Sequence, residues 1–153
     1  MERHIPSPPE PYLAERLFNL AENYARHIDS SEKIFEEDNL SIIRQQRLFG
    51  QAAYYAVING EPVGYVVGHD VKRANGRRFV ITSTFIRPEN RYQGIGKAVY
   101  LAIIDSGVTL VSDWDLSPGA KALWASLMQS EPRKDVISFK EGYVARRRGI
   151  SGK

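Results

Sequence analysis

The sequence predicts an α/β (α+β) domain in which a mixed, mostly antiparallel central sheet of about six to seven strands is flanked by about four helices. Three observations carry that expectation. The apolar run Ala52–Ile58 is followed by Asn59-Gly60, the strongest two-residue hairpin signal, and then by two more runs rich in aromatic and β-branched residues, so the middle of the chain reads as an antiparallel meander. The third of these runs connects to a short apolar run at Val108–Ser112 through a helical stretch, which makes the two strands parallel neighbours in a right-handed crossover. On both sides of this region the apolar residues recur every three to four positions, the period of an amphipathic helix.

Pro6, Pro8, Pro9 and Pro11 forbid a continuous helix and make residues 1–11 an extended lead-in. Leu13, Leu17, Leu20, Ala21, Tyr24, Ala25 and Ile28 form the stripe of a first helix that ends around Asp29–Ser31. A second helix is expected between about Ser31 and Phe49, with Ile34, Phe35, Leu40, Ile42, Ile43 and Leu48 on its apolar side. Strands then span Ala52–Ile58, Pro62–Gly68 and, after a polar turn at Lys72–Arg77, Arg78–Ile86. Beyond Pro88 a helix runs through Ile95, Val99, Ala102 and Ile103 to Ser106-Gly107, where glycine can supply a left-handed cap. Ser117-Pro118 starts the last helix, with Ala122, Leu123, Leu127 and Met128 facing inward. Val136–Phe139 and Gly142–Ala145 supply one or two terminal strands. The domain therefore covers 12–145 and leaves a basic tail at 146–153, with no internal repeat or interdomain linker.

Composition narrows the function classes. A chain of 153 residues with 42% hydrophobic and 25% charged residues builds one globular core and is neither fibrous nor wholly disordered. Having no cysteine, it lacks disulfides, thiol nucleophiles and thiolate metal sites. His4, His27 and His69 are scattered with no His-x-x-x-His spacing, so no metal site is expected. No apolar run approaches the roughly 20 residues needed to span a bilayer, and Met1–Pro9 lacks the apolar core of a signal peptide, which places the protein in the cytoplasm. The net charge of +3 is uneven: residues 1–50 carry an acidic excess, and residues 131–153 hold 7 basic against 3 acidic groups. Such a basic end suits a polyanion, though it serves equally as solvated surface.

The most informative stretch is Thr84–Val99, in which a strand ends at a proline and a glycine-bearing turn leads into a helix. The first backbone N–H groups of a helix have no internal partner, and its dipole places about half a positive charge there, so this end attracts phosphate. Gly94 and Gly96 let an anion approach the main chain, and Arg91 adds a charged, bidentate contact. A pyrophosphate is the predicted ligand. The pattern is neither Walker A, which needs Gly-Lys-Ser/Thr after a longer loop, nor a Gly-x-Gly-x-x-Gly dinucleotide fingerprint.

The spacing Arg91-x-x-Gly94-x-Gly96, preceded by Phe85-Ile86-Arg87-Pro88-Glu89 and followed by a helix, resembles the acyl-CoA pyrophosphate loop of the GNAT superfamily of N-acetyltransferases. The resemblance covers roughly residues 12–145, with its specific part at 85–100. It implies a GNAT-like fold, acetyl-CoA or coenzyme A as co-substrate, no metal, and transfer of an acetyl group to a primary amine by direct attack in a ternary complex. It further implies that Phe85 and Ile86 pair their main chain with the pantetheine arm as an added strand. Arg91, Tyr92, Gln93, Gly94, Ile95, Gly96 and Lys97 would cradle the pyrophosphate. The strands Phe79–Ile86 and Val108–Ser112 would splay apart, placing the thioester near Thr84, Phe85 and the loop after Ser112, with an N–H near Phe85 or Ile86 bonding the thioester oxygen.

Many members of that superfamily protonate the departing thiolate with a tyrosine in the helix after this last strand. Here that position aligns with Trp124, whose indole N–H cannot serve as a general acid; it packs either on the cofactor or in the core. Asp113, with Asp115, can accept a proton from a substrate ammonium or simply be solvated, and Tyr143 can donate through its hydroxyl or be a half-buried aromatic. Ser83 and Thr84 alternate, so one of them faces the cleft; His69 and the pair Tyr54-Tyr55 have structural readings as defaults. Ser112–Trp124 also looks like helices of bacteriophage-encoded acetyltransferase-like proteins, which implies the host cytoplasm as its location. The acceptor is then an amine-bearing small molecule, a protein or a modified nucleic acid, the last contacted through Arg133-Lys134 and Arg146–Arg148. A homodimer through the C-terminal strands fits such a fold, and no membrane partner is expected. Two rival functions stay open: a catalytically weak or inactive interaction or inhibitor protein, and a nucleic-acid-modifying acyltransferase.

Overall fold

Short runs punctuated by tight turns set the meander from Ser31 to Ile86. The computed structural model describes residue 19 and residues 31–74, 76–112, 118–130, 134–139 and 142–147. Within them, eight strands form one sheet in the order β1-β2-β3-β4-β5-β6-β8-β7. These are β1 (Ser31–Glu37), β2 (Leu40–Gln46), β3 (Gln51–Ile58), β4 (Glu61–Arg73), β5 (Gly76–Ile86), β6 (Thr109–Val111), β7 (Lys134–Phe139) and β8 (Gly142–Arg147). Helix α1 (Ile95–Asp105) joins β5 to β6, and α2 (Pro118–Ser130) follows β6. The expected mixed, mostly antiparallel sheet is present, with β5 and β6 as its parallel pair. No helix among the described residues is long and apolar enough to cross a membrane.

One expected element is of the wrong type. Residues 31–46 hold the β1–β2 hairpin and not a helix, with only a single 3₁₀ turn at Leu48–Gly50; Glu37 pairs with Leu40 across Asp38-Asn39, and Asp38 takes a left-handed φ of 55°. The apolar positions of this stretch fit a helical stripe loosely, but the adjacent β-branched pair Ile42-Ile43 favours a strand with both faces covered. Both side chains are indeed buried, one in each of two separate clusters.

The central meander agrees with expectation and extends beyond it. Asn59 and Gly60 both have positive φ, 51° and 81°, as a two-residue hairpin turn with the right twist requires. The polar segment Lys72–Arg77 is not a loop: β4 and β5 continue their pairing to Arg73 and Gly76. Exposed hairpin ends can carry polar side chains on either face, so polarity there does not mark the turn. The predicted first helix (12–29) lies outside the described residues except for Asn19, which is helical and exposed. β8 runs two residues into the stretch read as the basic tail.

The sheet separates two apolar clusters. Under α1 and α2 lie Tyr54, Val66, Phe79, Val99, Ile103, Leu110 and Trp124; on the other face Ile43, Tyr55, Tyr65, Val67 and Phe85 pack together. The stripe expected of α1 is buried as read, with Tyr100 and Ile104 added to it. In α2 the inward side is centred differently: Trp124 and Leu127 are buried, Leu123 is half-buried, and Ala122 and Met128 face outward. The bulky indole sets the helix rotation, because full burial of the largest side chain outweighs that of alanine and methionine.

A β-bulge interrupts β5 near its middle. Val67 pairs with Ser83 and Gly68 with Ile81, which leaves Thr82 as an extra residue whose Oγ1 donates to the Val67 carbonyl at 3.0 Å. An extra residue reverses the alternation of side chains beyond it. Phe79 and Ile81 before the bulge therefore share the α1 face with Thr84 and Ile86 after it, while Phe85 turns to the opposite cluster.

Candidate functional site

β5 is paired unequally on its two edges. It bonds to β4 along its whole length, but to β6 only from Arg78 to Val80, so beside Ile81–Ile86 no strand is present among the described residues. Among the described residues the parallel pairing thus stops at Val80 and Val111, and the stretch of β5 beyond it is a split in the described sheet. Arg87 N–H donates to the Val63 carbonyl of β4 at 2.8 Å. Successive main-chain groups of a strand point to alternate edges. Phe85 therefore also faces β4, whereas Thr84 and Ile86 present their N–H and C=O groups to the open edge.

The chain then turns into α1 over a short loop. A single 3₁₀ turn at Pro88–Asn90 is closed by Asn90 N–H to Arg87 C=O at 2.9 Å and Arg91 N–H to Pro88 C=O at 3.3 Å. Tyr92 and Gly94 both take left-handed conformations, with φ of 64° and 79°. The bond from Ala98 N–H to the Gly94 carbonyl at 2.9 Å is the first of the helix, so the amides of Ile95 and Gly96 stand ahead of it at the positive end of the helix dipole. A Cβ built on Gly94 would meet nothing within 4 Å, which leaves open space over the helix end. A Cβ on Gly96 would instead lie 3.4 Å from Leu123 Cδ2, in contact with α2.

Charge is gathered around that end. Arg91 lies back over the strand, its guanidinium carbon 5.5 Å from the centre of the Phe85 ring and its Nε donating to the Ile86 carbonyl at 2.9 Å. The cation is thereby tied to the C-terminal end of β5. Arg87 and Lys97 add positive charge, and Glu89, 4.0 Å from Arg87, is the nearby anion. Gln93 Nε2 donates to the Glu89 carbonyl at 3.4 Å, and the Tyr92 ring is wholly exposed at 103%. An anion fits this place on three counts: open space over Gly94, amides turned outward, and a braced arginine beside them.

Below the split, two hydroxyls meet inside an otherwise apolar layer. Thr84 Oγ1 and Tyr100 Oη are 3.0 Å apart. Tyr100 is 1% exposed, and its ring lies 5.4 Å from that of Trp124, which is fully buried. Burial pushes the Tyr100 phenol up to about 12, opposed in part by the hydrogen bond with Thr84. Tyr100 is not among the residues singled out from the sequence; a tyrosine four residues after Gly96, on the buried stripe of α1, is the signal that could have found it.

The expected site residues are thus distributed unevenly. Ile86, Arg91, Gly94, Ile95 and Gly96 come together at the split and the helix end, with Tyr92, Gln93 and Lys97 around them. Phe85 contributes its ring beneath Arg91, while its main chain faces β4. Trp124 sits in the core against Tyr100. Asp113 and Asp115 lie outside the described residues, as does the Tyr143 side chain. The Tyr143 backbone precedes Val144, which pairs with Val111 at the C-terminal end of β6. Ser83 is on the face opposite α1, and His69 is exposed opposite Gln51. Tyr54 packs edge-on to Phe79 at 4.9 Å, and Tyr55 accepts from Arg47 at 2.7 Å while donating to Gln45 at 3.0 Å.

Residues 14–125 match the model of the acetyltransferase (GNAT) family. No curated protein sequence matches the chain. Among solved structures, similar folds include a ribosomal-protein-alanine N-acetyltransferase from Brucella melitensis biovar Abortus 2308, with 21% identity over 61% of this chain and 74% of that one and a TM-score of 0.46. The ribosomal-protein-S18-alanine N-acetyltransferase from Escherichia coli gives 18% identity, 66% and 71% coverage, and 0.45. The aminoglycoside acetyltransferase meta-AAC0020 from an uncultured soil metagenomic sample gives 12%, 85% and 88%, and 0.46.

Proposed function

The chain belongs to the acetyltransferase (GNAT) family, and from that premise we propose that it is an N-acyltransferase moving an acetyl group from acetyl-CoA to a primary amine by direct attack within a ternary complex. The observation that carries this reading is the meeting of two features at one place: the open edge of β5 over Ile81–Ile86 and the uncovered helix end at Gly94. An extended, amide-bearing chain ending in a diphosphate matches both. Acetyl-CoA, when bound, supplies an activated acyl thioester.

The chain's own residues do the rest. The amides of Ile95 and Gly96, with Arg91, Lys97 and the loop residues Tyr92 and Gln93, hold the diphosphate. The Thr84 carbonyl and the Ile86 N–H bond the pantetheine arm as an added strand, which leaves the Thr84 N–H for the thioester. Holding an amine against the acyl carbon accounts for most of the rate, since orientation alone can lower a barrier by several kcal/mol. Asp113 takes the proton from the incoming ammonium, and as the C–N bond forms and the C–S bond breaks the Tyr143 hydroxyl gives a proton to the departing thiolate. Trp124 supports the site by packing on Tyr100.

Calorimetric titration with acetyl-CoA tests the reading most directly: binding is expected, and none at millimolar ligand defeats it. Release of thiol from acetyl-CoA with a panel of amines then tests turnover. A second reading, a family member that binds the cofactor and a protein partner without turnover, is favoured by the indole of Trp124 where relatives commonly place a phenol. Thiol release with any amine counts against it. The acceptor is an amine on a small molecule, a protein or a modified nucleic acid, and we place the protein in the cytoplasm.

A further inference from the structure

The hydroxyl pair beneath the split is where the core departs from apolar packing without structural need. Phenylalanine and valine have nearly the shapes of Tyr100 and Thr84, and replacing both partners of a buried hydrogen bond by apolar groups is close to neutral for stability. The pair is also placed asymmetrically. Tyr100 is sealed in the core, whereas Thr84 is half-buried on the open edge of β5, two residues beyond the bulge and two before Ile86. Only one hydrogen can lie between the two oxygens. When the sealed phenol donates to Thr84, its sole hydroxyl partner among the described residues, the threonine's own hydrogen is left for whatever occupies the open edge.

Resting on the acyltransferase reading, we propose that Thr84 is a catalytic hydrogen-bond donor to the acyl oxygen of the bound thioester, and that Tyr100 is the positioning residue that fixes its hydroxyl. No proton is transferred at the pair. The hydroxyl adds to the main-chain N–H of the same residue, so that two donors from Thr84 converge on one oxygen as charge develops there.

The test compares acetyl-CoA with coenzyme A, which lacks the acyl oxygen, by calorimetry on the full chain and on Thr84→Val, Thr84→Ser and Tyr100→Phe. Thr84→Val is expected to lower acetyl-CoA affinity by about fivefold, the worth of one hydrogen bond, while coenzyme A affinity stays as in the wild type; the melting temperature falls, because the buried Tyr100 phenol is left without its partner. Thr84→Ser should restore the difference, Tyr100→Phe should lose part of it, and kcat with a reactive amine should fall in the same order with KM for the amine unchanged. Equal effects on both ligands, or an unchanged acetyl-CoA affinity in Thr84→Val and Tyr100→Phe, overturn the proposal. Wild-type protein that binds neither ligand overturns the acyltransferase reading itself, and this proposal with it. Should Thr84→Val fail to fold, Tyr100→Phe with Thr84→Ser carries the same comparison.

Discussion

Replacing the two loop glycines separates the cost of conformation from the cost of occupying the site. Gly94 holds a φ of 79° with no protein atom near where a Cβ would stand. Gly94→Ala therefore meets only the left-handed penalty, about 1–2 kcal/mol for a non-glycine residue, which in a domain of this size lowers the melting temperature by about 2–8 °C. Gly94→Glu carries the same penalty and adds a carboxylate beside the helix end. Two unit like charges 4 Å apart repel by about 4 kcal/mol at an effective dielectric of 20. A hundredfold loss of affinity needs only about 2.8 kcal/mol, so acetyl-CoA binding should vanish from calorimetry while the fold persists. Gly96 lies inside α1, where alanine is favoured over glycine by about 0.5–1 kcal/mol, and its Cβ would touch Leu123 at ordinary contact distance. Gly96→Ala should leave the melting temperature unchanged or raise it, and weaken acetyl-CoA by less than Gly94→Glu does. Circular dichroism melts and calorimetry on the three variants decide the matter. Full acetyl-CoA affinity in Gly94→Glu would refute the placement of the diphosphate at this helix end.

Packing and burial give two further expected outcomes. Gly68→Ala should destabilise by about 3 kcal/mol or more, read from urea denaturation, because its Cβ would stand 2.1 Å from the Val80 carbonyl oxygen and backbone must move to admit it; an unchanged midpoint would show that the β4–β5 spacing beside the bulge is wrong. The Tyr100 phenol is raised from 10 to about 12 by burial, so the folded state keeps its proton where the unfolded chain loses it. Its contribution is fully present below pH 10 and is lost as the pH rises from 10 through about 12; Tyr100→Phe should flatten this part of the stability profile, and an identical profile in the variant would remove the assignment.

The loop from Ile86 to Lys97 was legible in the sequence because glycine, proline and arginine act there through the backbone, which a one-dimensional pattern records directly. The meander was legible for the same reason, through Asn59-Gly60. Residues 31–49 were not. Ile34, Phe35, Leu40, Ile42 and Ile43 satisfy a helical and an extended period almost equally, and short apolar runs do not separate the two. The hairpin wins through tertiary contact, with Ile42 and Ile43 each finding a buried cluster on its own side of the sheet. Met128 and Ala122 were misplaced because the rotation of α2 is decided by the room Trp124 requires under α1. The contact between Thr84 and Tyr100 joins two elements across 16 residues and depends on a bulge that no local signal announces.

That bulge ties the fold to the site. Without Thr82 as an extra residue, the alternation established by Phe79 and Ile81 would carry Phe85 to the α1 face and send Thr84 and Ile86 to the other. Tyr100 would then face a phenyl ring, and the Arg91 guanidinium would lose the Phe85 ring on which it lies. The same insertion increases local twist, and it sits two residues past Val80, the last residue of β5 to pair with β6. The bulge re-aims the side chains of β5 on the two faces just beyond the point where its described pairing with β6 ends. One inserted residue thus accounts for the placement of the hydroxyl pair and the support of the loop arginine, two of the features on which the proposed binding and chemistry rest.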